Sequence, residues 1–139
     1  MKMKHLKGIA LAAAAVVGLA ACGGSSESSD TTAAAGSDYS NLKVAVVYIG
    51  VPGDAGYTYQ HDQGIAELEA ELGITVTRLE NIPEGAESAA TFDQLAAEGY
   101  NLIFGTSFGY MDPMLEVSAK YPDVCFSHAT GYKTSTNLG

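Results

Sequence analysis

Val44-Ala45-Val46-Val47-Tyr48-Ile49-Gly50-Val51-Pro52-Gly53-Asp54-Ala55-Gly56-Tyr57-Thr58-Tyr59 decides the fold. Its first six residues are apolar without polar alternation. That pattern predicts a strand buried on both faces, the habit of parallel sheets lying between helices. Glycines and a proline then end the strand, and a helical pattern begins at Tyr57. In open parallel sheets, the loop leaving the carboxyl end of the first strand usually lines the ligand crevice. Here that loop carries one carboxylate and leads into two tyrosines.

Downstream, strand and helix signals alternate. Strand one is expected over about 43–49 and helix one over about 57–72, with Tyr57, His61, Ile65, Leu68 and Leu72 as its inward stripe. Gly73 reads as a C-terminal stop. Strand two runs from Ile74 to Leu79, and Pro83-Glu84-Gly85 breaks the chain. Helix two covers about 86–98, with Ala89, Phe92, Leu95 and Ala96 inward. Strand three covers 101–105. Asp112-Pro113 reads as the N-cap and first residue of helix three, which buries Met114, Val117 and Tyr121. Strand four is Val124 to His128, followed by a polar loop to Asn137. Strand–helix repeats with such short connections imply right-handed crossovers, a parallel sheet flanked by helices, and an α/β class. The 97 residues from Lys43 onward make an incomplete core, so part of a larger lobe is expected.

Residues 1–21 differ in kind. Lys2, Lys4 and Lys7 precede the apolar run Gly8 to Ala21, too short to span a bilayer and typical of a secretory signal. Leu19-Ala20-Ala21-Cys22 fits a lipobox, with Cys22 the acylated residue. The stretch 22–42 reads as a flexible linker: from Gly24 to Ser37 it has no aliphatic bulk beyond alanine and cannot bury a core. Anchor, tether and folded body together describe a protein held on the extracytoplasmic face of a cell membrane. Removing residues 1–21 takes three lysines and no acidic residue, leaving four basic against 16 acidic side chains. A charge of about −12 with scattered Lys43, Arg78, Lys120 and Lys133 excludes a phosphate-neutralising nucleic-acid surface. Cys125, in an apolar run, is expected as a small buried hydrophobe.

The strand order 2-1-3-4 would place the switch point between strands one and three. The loops meeting there offer Asp54, Tyr57 and Thr58 on one side and Ser107, Phe108 and Tyr110 on the other. Thr130 follows strand four. A carboxylate before a helix start repels phosphate, and Gly50-x-x-Gly53-x-x-Gly56 is not the dinucleotide spacing. The site suits an uncharged aromatic ligand with hydrogen-bond donors, such as a purine base or nucleoside. Asp54 has two readings, helix N-cap and ligand acceptor, and both can hold. Phe108 and Tyr110 can stack on a ligand or pack on neighbouring loops. His61 reads as structural, and a metal held by His61 and His128 lacks a third ligand, so neither metal nor cofactor is expected. Gly105-Thr106-Ser107-Phe108-Gly109 matches the nucleophile-elbow pattern, but the next helix start lies too far on for a tight turn. A surface esterase using Ser107 is the enzymatic alternative. A nucleoside sensor without transport is the other.

Four separated motifs carry a resemblance. They are Gly53 to Gly64, Asn81-Ile82-Pro83-Glu84-Gly85, Thr106 to Pro113, and His128-Ala129-Thr130-Gly131-Tyr132-Lys133. Together they resemble the basic membrane protein (BMP) family of ABC-transporter substrate-binding lipoproteins, similar to purine nucleoside receptors. The resemblance implies a type 1 periplasmic-binding fold whose two lobes close on a purine base or nucleoside. It also implies permease and ATPase subunits as partners. This chain would supply part of the first lobe only, with Tyr57 where many relatives place tryptophan.

Overall fold

A computed structural model describes residues 38–139. The expected signal segment, Cys22 and the tether as far as residue 37 lie outside the described residues. The elements are β1 (Val44–Tyr48), α1 (Tyr57–Leu72), β2 (Val76–Leu79), α2 (Ala86–Ala97), β3 (Leu102–Thr106), α3 (Met111–Ser118) and β4 (Cys125–His128). Short 3-10 turns occupy Pro52–Asp54 and Phe108–Tyr110. The sheet order is β2-β1-β3-β4 and every pairing is parallel. Tyr48 stands opposite Thr106 in the register, so the loops after β1 and β3 leave the sheet side by side.

All five β1 residues are buried. Ala45 and Val47 face a cluster built from Phe92, Leu95, Ile103, Met114, Val117 and Phe126, the side covered by α2 and α3. Val44, Val46 and Tyr48 face Ile65 and Val76, the side covered by α1. A fully buried valine such as Val46 contributes about 1.5–3 kcal/mol relative to leaving it exposed.

Helix α1 presents only part of the stripe that hydrophobicity suggests, with Ile65 buried and Leu68 packed against the cluster on its side of the sheet. Tyr57 is exposed, His61, Leu68 and Leu72 are half-buried, and Thr58 and Ile65 are the buried positions. The helix meets the sheet through Thr58, Asp62, Ile65 and Glu69, spacings of four, three and four. Two of these are carboxylates, and β2 supplies their partner. The Arg78 guanidinium lies 2.6 Å from Asp62 and 2.9 Å from Glu69. The Tyr48 hydroxyl also donates to Asp62 at 2.9 Å. This polar edge replaces the apolar contact expected from Tyr57 and His61.

Three further expectations need correction. Helix α3 begins at Met111, because the 3-10 turn runs straight into it and Tyr110 already has helical dihedrals. Asp112 is therefore not its N-cap but an ion-pair partner of Lys133, at 2.5 Å. Cys125 is exposed rather than buried. It alternates with inward Phe126 on β4 and shares the opposite side with Leu102, its register partner. Finally, 129–139 is not simply a polar loop. Leu138 is buried and forms a parallel bridge with Phe126, and the amide groups of Phe126, Gly139 and His128 continue the ladder. Asn137 Nδ2 approaches the carbonyls of Ser118, Tyr121 and Val124 at 2.8–3.1 Å, closing the end of α3.

Candidate ligand crevice

Four loops leave the carboxyl edge of the sheet, after β1, β2, β3 and β4. Backbone bonds tie the second of them over the first strand, Ile82 N–H donating to Tyr48 and Asn81 N–H to Gly50. The non-glycine residues with left-handed backbone among the described residues all lie in these loops: Ala55, Asn81 and Thr130, with φ of 52°, 55° and 68°. Such conformations cost of order 1–3 kcal/mol each and gather where a loop must aim its groups.

Asp54 is engaged in shaping its own loop. Its Oδ1 accepts from the Gly56 and Tyr59 N–H groups at 2.8 and 3.0 Å, and Oδ2 from Thr58 N–H at 3.0 Å. These bonds, the Gly56 and Tyr59 ones first, hold its carboxyl below the usual carboxylate range. The N-cap residue of α1 is Gly56, so Asp54 is not itself the N-cap, but from two residues earlier it caps the first-turn N–H groups as an acidic side chain. Thr58 is buried, its Oγ1 lying under Gly50, where a Cβ would sit only 2.9 Å away. Gly50 is needed for that close approach. Tyr57 is 44% exposed and meets His61 edge-on at 4.6 Å between ring centres.

Across from it, Phe108 is 55% exposed. Ser107 is buried in extended backbone (φ −155°, ψ 149°), and its hydroxyl donates to Glu84 Oε1 at 2.5 Å. An elbow serine sits on a strained turn, and Ser107 does not. Tyr110 points the other way. It is fully buried, edge-on to Phe92, with its hydroxyl donating to the Ile82 carbonyl. Burial, then the nearby Glu84 carboxylate, push that hydroxyl's pKa up. Tyr110 therefore supports the crevice from beneath and has no exposed surface for a ligand, a correction to its expected contact role. Thr130 is exposed, with its hydroxyl turned back to the Ala129 carbonyl at 2.6 Å.

Two further groups stand at the crevice that the sequence does not mark as candidates. Tyr132, 72% exposed, stands 6.3 Å from the Phe108 ring centre. Its loop is pinned by the contact of His128 Nε2 with the Lys133 carbonyl at 2.7 Å and by N–H contacts to the Met111 sulfur. Glu84 is the other. Its position in Pro83-Glu84-Gly85 reads as a turn, and nothing in the sequence pairs it with residue 107. A trough of about 370 Å³ runs beside these loops on the α1 side, lined by His61, Ile65, Leu68, Phe104, Ser127 and His128 among others. No cluster of three His, Cys, Asp or Glu suited to a metal exists among the described residues.

The folded part of the chain matches a known family by sequence. The model for ABC transporter substrate-binding proteins of the PnrA-like type, Bmp, matches residues 41–139. The chain belongs to the Bmp family. Purine-binding protein BAB2_0673 of Brucella abortus (strain 2308) is 54% identical over 99 residues, 70% of this chain and 28% of that protein. A Haloferax volcanii protein provisionally named as the ABC transporter glucose-binding protein TsgA13 is 38% identical over 103 residues, 74% of this chain and 26% of that one. This Bmp chain therefore spans about a quarter of the length of these relatives. Among solved structures, an ABC transporter solute-binding protein from Conexibacter woesei superposes with a TM-score of 0.63 at 26% identity, covering 70% of this chain and 33% of that one. A solute-binding protein from Aeropyrum pernix K1 gives 0.62 at 24% identity, covering 70% and 27%, and speaks to the fold alone. The type 1 periplasmic-binding fold and the Bmp resemblance are thus both met.

Proposed function

We propose that this Bmp protein is the lipid-anchored, extracytoplasmic binding component of an ABC importer. It captures a purine base or nucleoside and delivers it to a permease driven by an ATPase. The single observation that carries the purine reading is the pair of exposed rings, Tyr57 at the start of α1 and Phe108 in the 3-10 turn after β3, at the ends of connections that leave neighbouring strands at the switch point. A heterocycle stacked on such a ring gains on the order of 1–3 kcal/mol per base. The similarity to a purine-binding protein supports the same ligand class.

Asp54 serves this reading mainly through the cap that fixes Tyr57, with its acidic charge turning anions away. Thr58 and Tyr110 buttress the two loops, and Thr130 and Ser107 supply polar groups at their margins. Cys22 is the proposed lipidation site. Calorimetry of the full-length protein against adenine, adenosine, guanosine, ribose and glucose tests the ligand class. Purines should bind and the two sugars should not. Binding of glucose or ribose with no response to any purine refutes the reading, and a relative named for glucose makes that comparison a real one.

A further inference from the structure

The geometry points to Glu84 as the carboxylate that reads a donor N–H on the ligand while holding the Phe108 ring in place. This rests on the purine-binding reading above. Three observations carry it. One oxygen, Oε1, accepts from both neighbours of Phe108: the Ser107 hydroxyl at 2.5 Å and the Gly109 N–H at 3.0 Å. Room for this is made by Gly109, where a Cβ would overlap the Glu84 carboxyl group. The second oxygen, Oε2, has no hydrogen-bond partner among the described residues, and Glu84 is exposed.

Asp54 contrasts with it. Both Asp54 oxygens already accept from backbone N–H groups, three bonds in all. Glu84 keeps one oxygen free, and its other oxygen fixes the residues on both sides of an exposed aromatic ring. A flat ligand stacked on Phe108 would present its edge to such a group. The chemistry recognised is a neutral heterocycle bearing an N–H donor, adenine being the simplest probe. A carboxylate accepting from that N–H makes the stronger, charge-assisted kind of bond.

Glu84→Gln separates the two duties. The contacts at Oε1 both come from donors, so the amide oxygen must stay there and the brace survives. The amide nitrogen then replaces Oε2 and turns an acceptor into a donor. Titration calorimetry on the full-length protein should show adenine binding about 10- to 100-fold weaker in Glu84→Gln. Binding of 9-methylpurine, which has no N–H, should change by less than about threefold. Adenine affinity within about threefold of the unaltered protein overturns the inference and leaves Glu84 as a brace alone. Failure of the unaltered protein to bind any purine would instead bring down the functional reading, and this inference with it. Should the variant not fold, carbon NMR of the unaltered protein with labelled glutamate gives an independent answer. Adenine must move the Glu84 carboxylate resonance and 9-methylpurine must not. Equal responses to the two ligands also overturn the inference.

Discussion

Tyr57 and Phe108 differ from the core aromatic residues Phe92 and Tyr110 in what surrounds them. Phe92 and Tyr110 are sealed in the core, while Tyr57, opening α1, and Phe108, in the 3-10 turn after β3, are half open. Truncating either ring should weaken purine binding by about 1–3 kcal/mol without unfolding the protein. Calorimetry of Tyr57→Ala and Phe108→Ala measures this, and an unchanged affinity in both would remove the stacking role. Asp54 makes a prediction of a different kind. Its carboxyl is depressed below 3.8 by N–H donors present only in the folded loop. A depressed folded value stabilises the loop above the ordinary value, and that stabilisation is lost as pH falls through the folded one. Amide NMR shifts of Gly56 and Tyr59 should therefore titrate together with a midpoint below 3.8. A midpoint at or above it would mean the cap does not persist in solution.

Elements explain which parts of this structure could be read from the chain. Strands β1 and β3 and the order 2-1-3-4 were legible because unbroken apolar runs and short crossovers leave few arrangements open. The inward face of α1 was legible only at Ile65 and Leu68. Asp62 and Glu69 look like solvent-facing residues until Arg78 and Tyr48 arrive from other strands. The exposure of Cys125 was not legible, because local apolarity does not reveal which side of β4 is covered. Of the site, the loops were legible and the partnerships were not: Glu84 and Ser107 are 23 positions apart. Two substitutions probe the elements. In Gly105→Ala the new methyl would meet the Met114 sulfur at 2.5 Å and Phe92 at 3.1 Å. Overpacking of that kind should cost about 1–3 kcal/mol in denaturant unfolding. Asn137→Asp should destabilise more than Asn137→Ala. The carboxylate would face three carbonyl oxygens with no proton to offer. The reverse ranking would show that Asn137 does not act as the donor joining α3 to the final segment.

At the scale of the molecule, a parallel sheet holds four loops at one edge, and the proposed ligand chemistry lies at that edge. The two sheet faces are not equal. The α2–α3 side is closed by a continuous apolar cluster, while over β3 and β4 the α1 side keeps the trough lined by Phe104 and the two histidines. That trough is the competing location for a small solute, and it differs chemically from the crevice in lacking Glu84 and Phe108. A crystal structure of the full-length protein with adenine distinguishes the two most directly. The purine ring should lie against Phe108 or Tyr57 at about 3.5–4.0 Å, the separation of atoms in contact. Adenine enclosed between His61 and Phe104 instead, with both loop rings left bare, would contradict the proposed mode of binding.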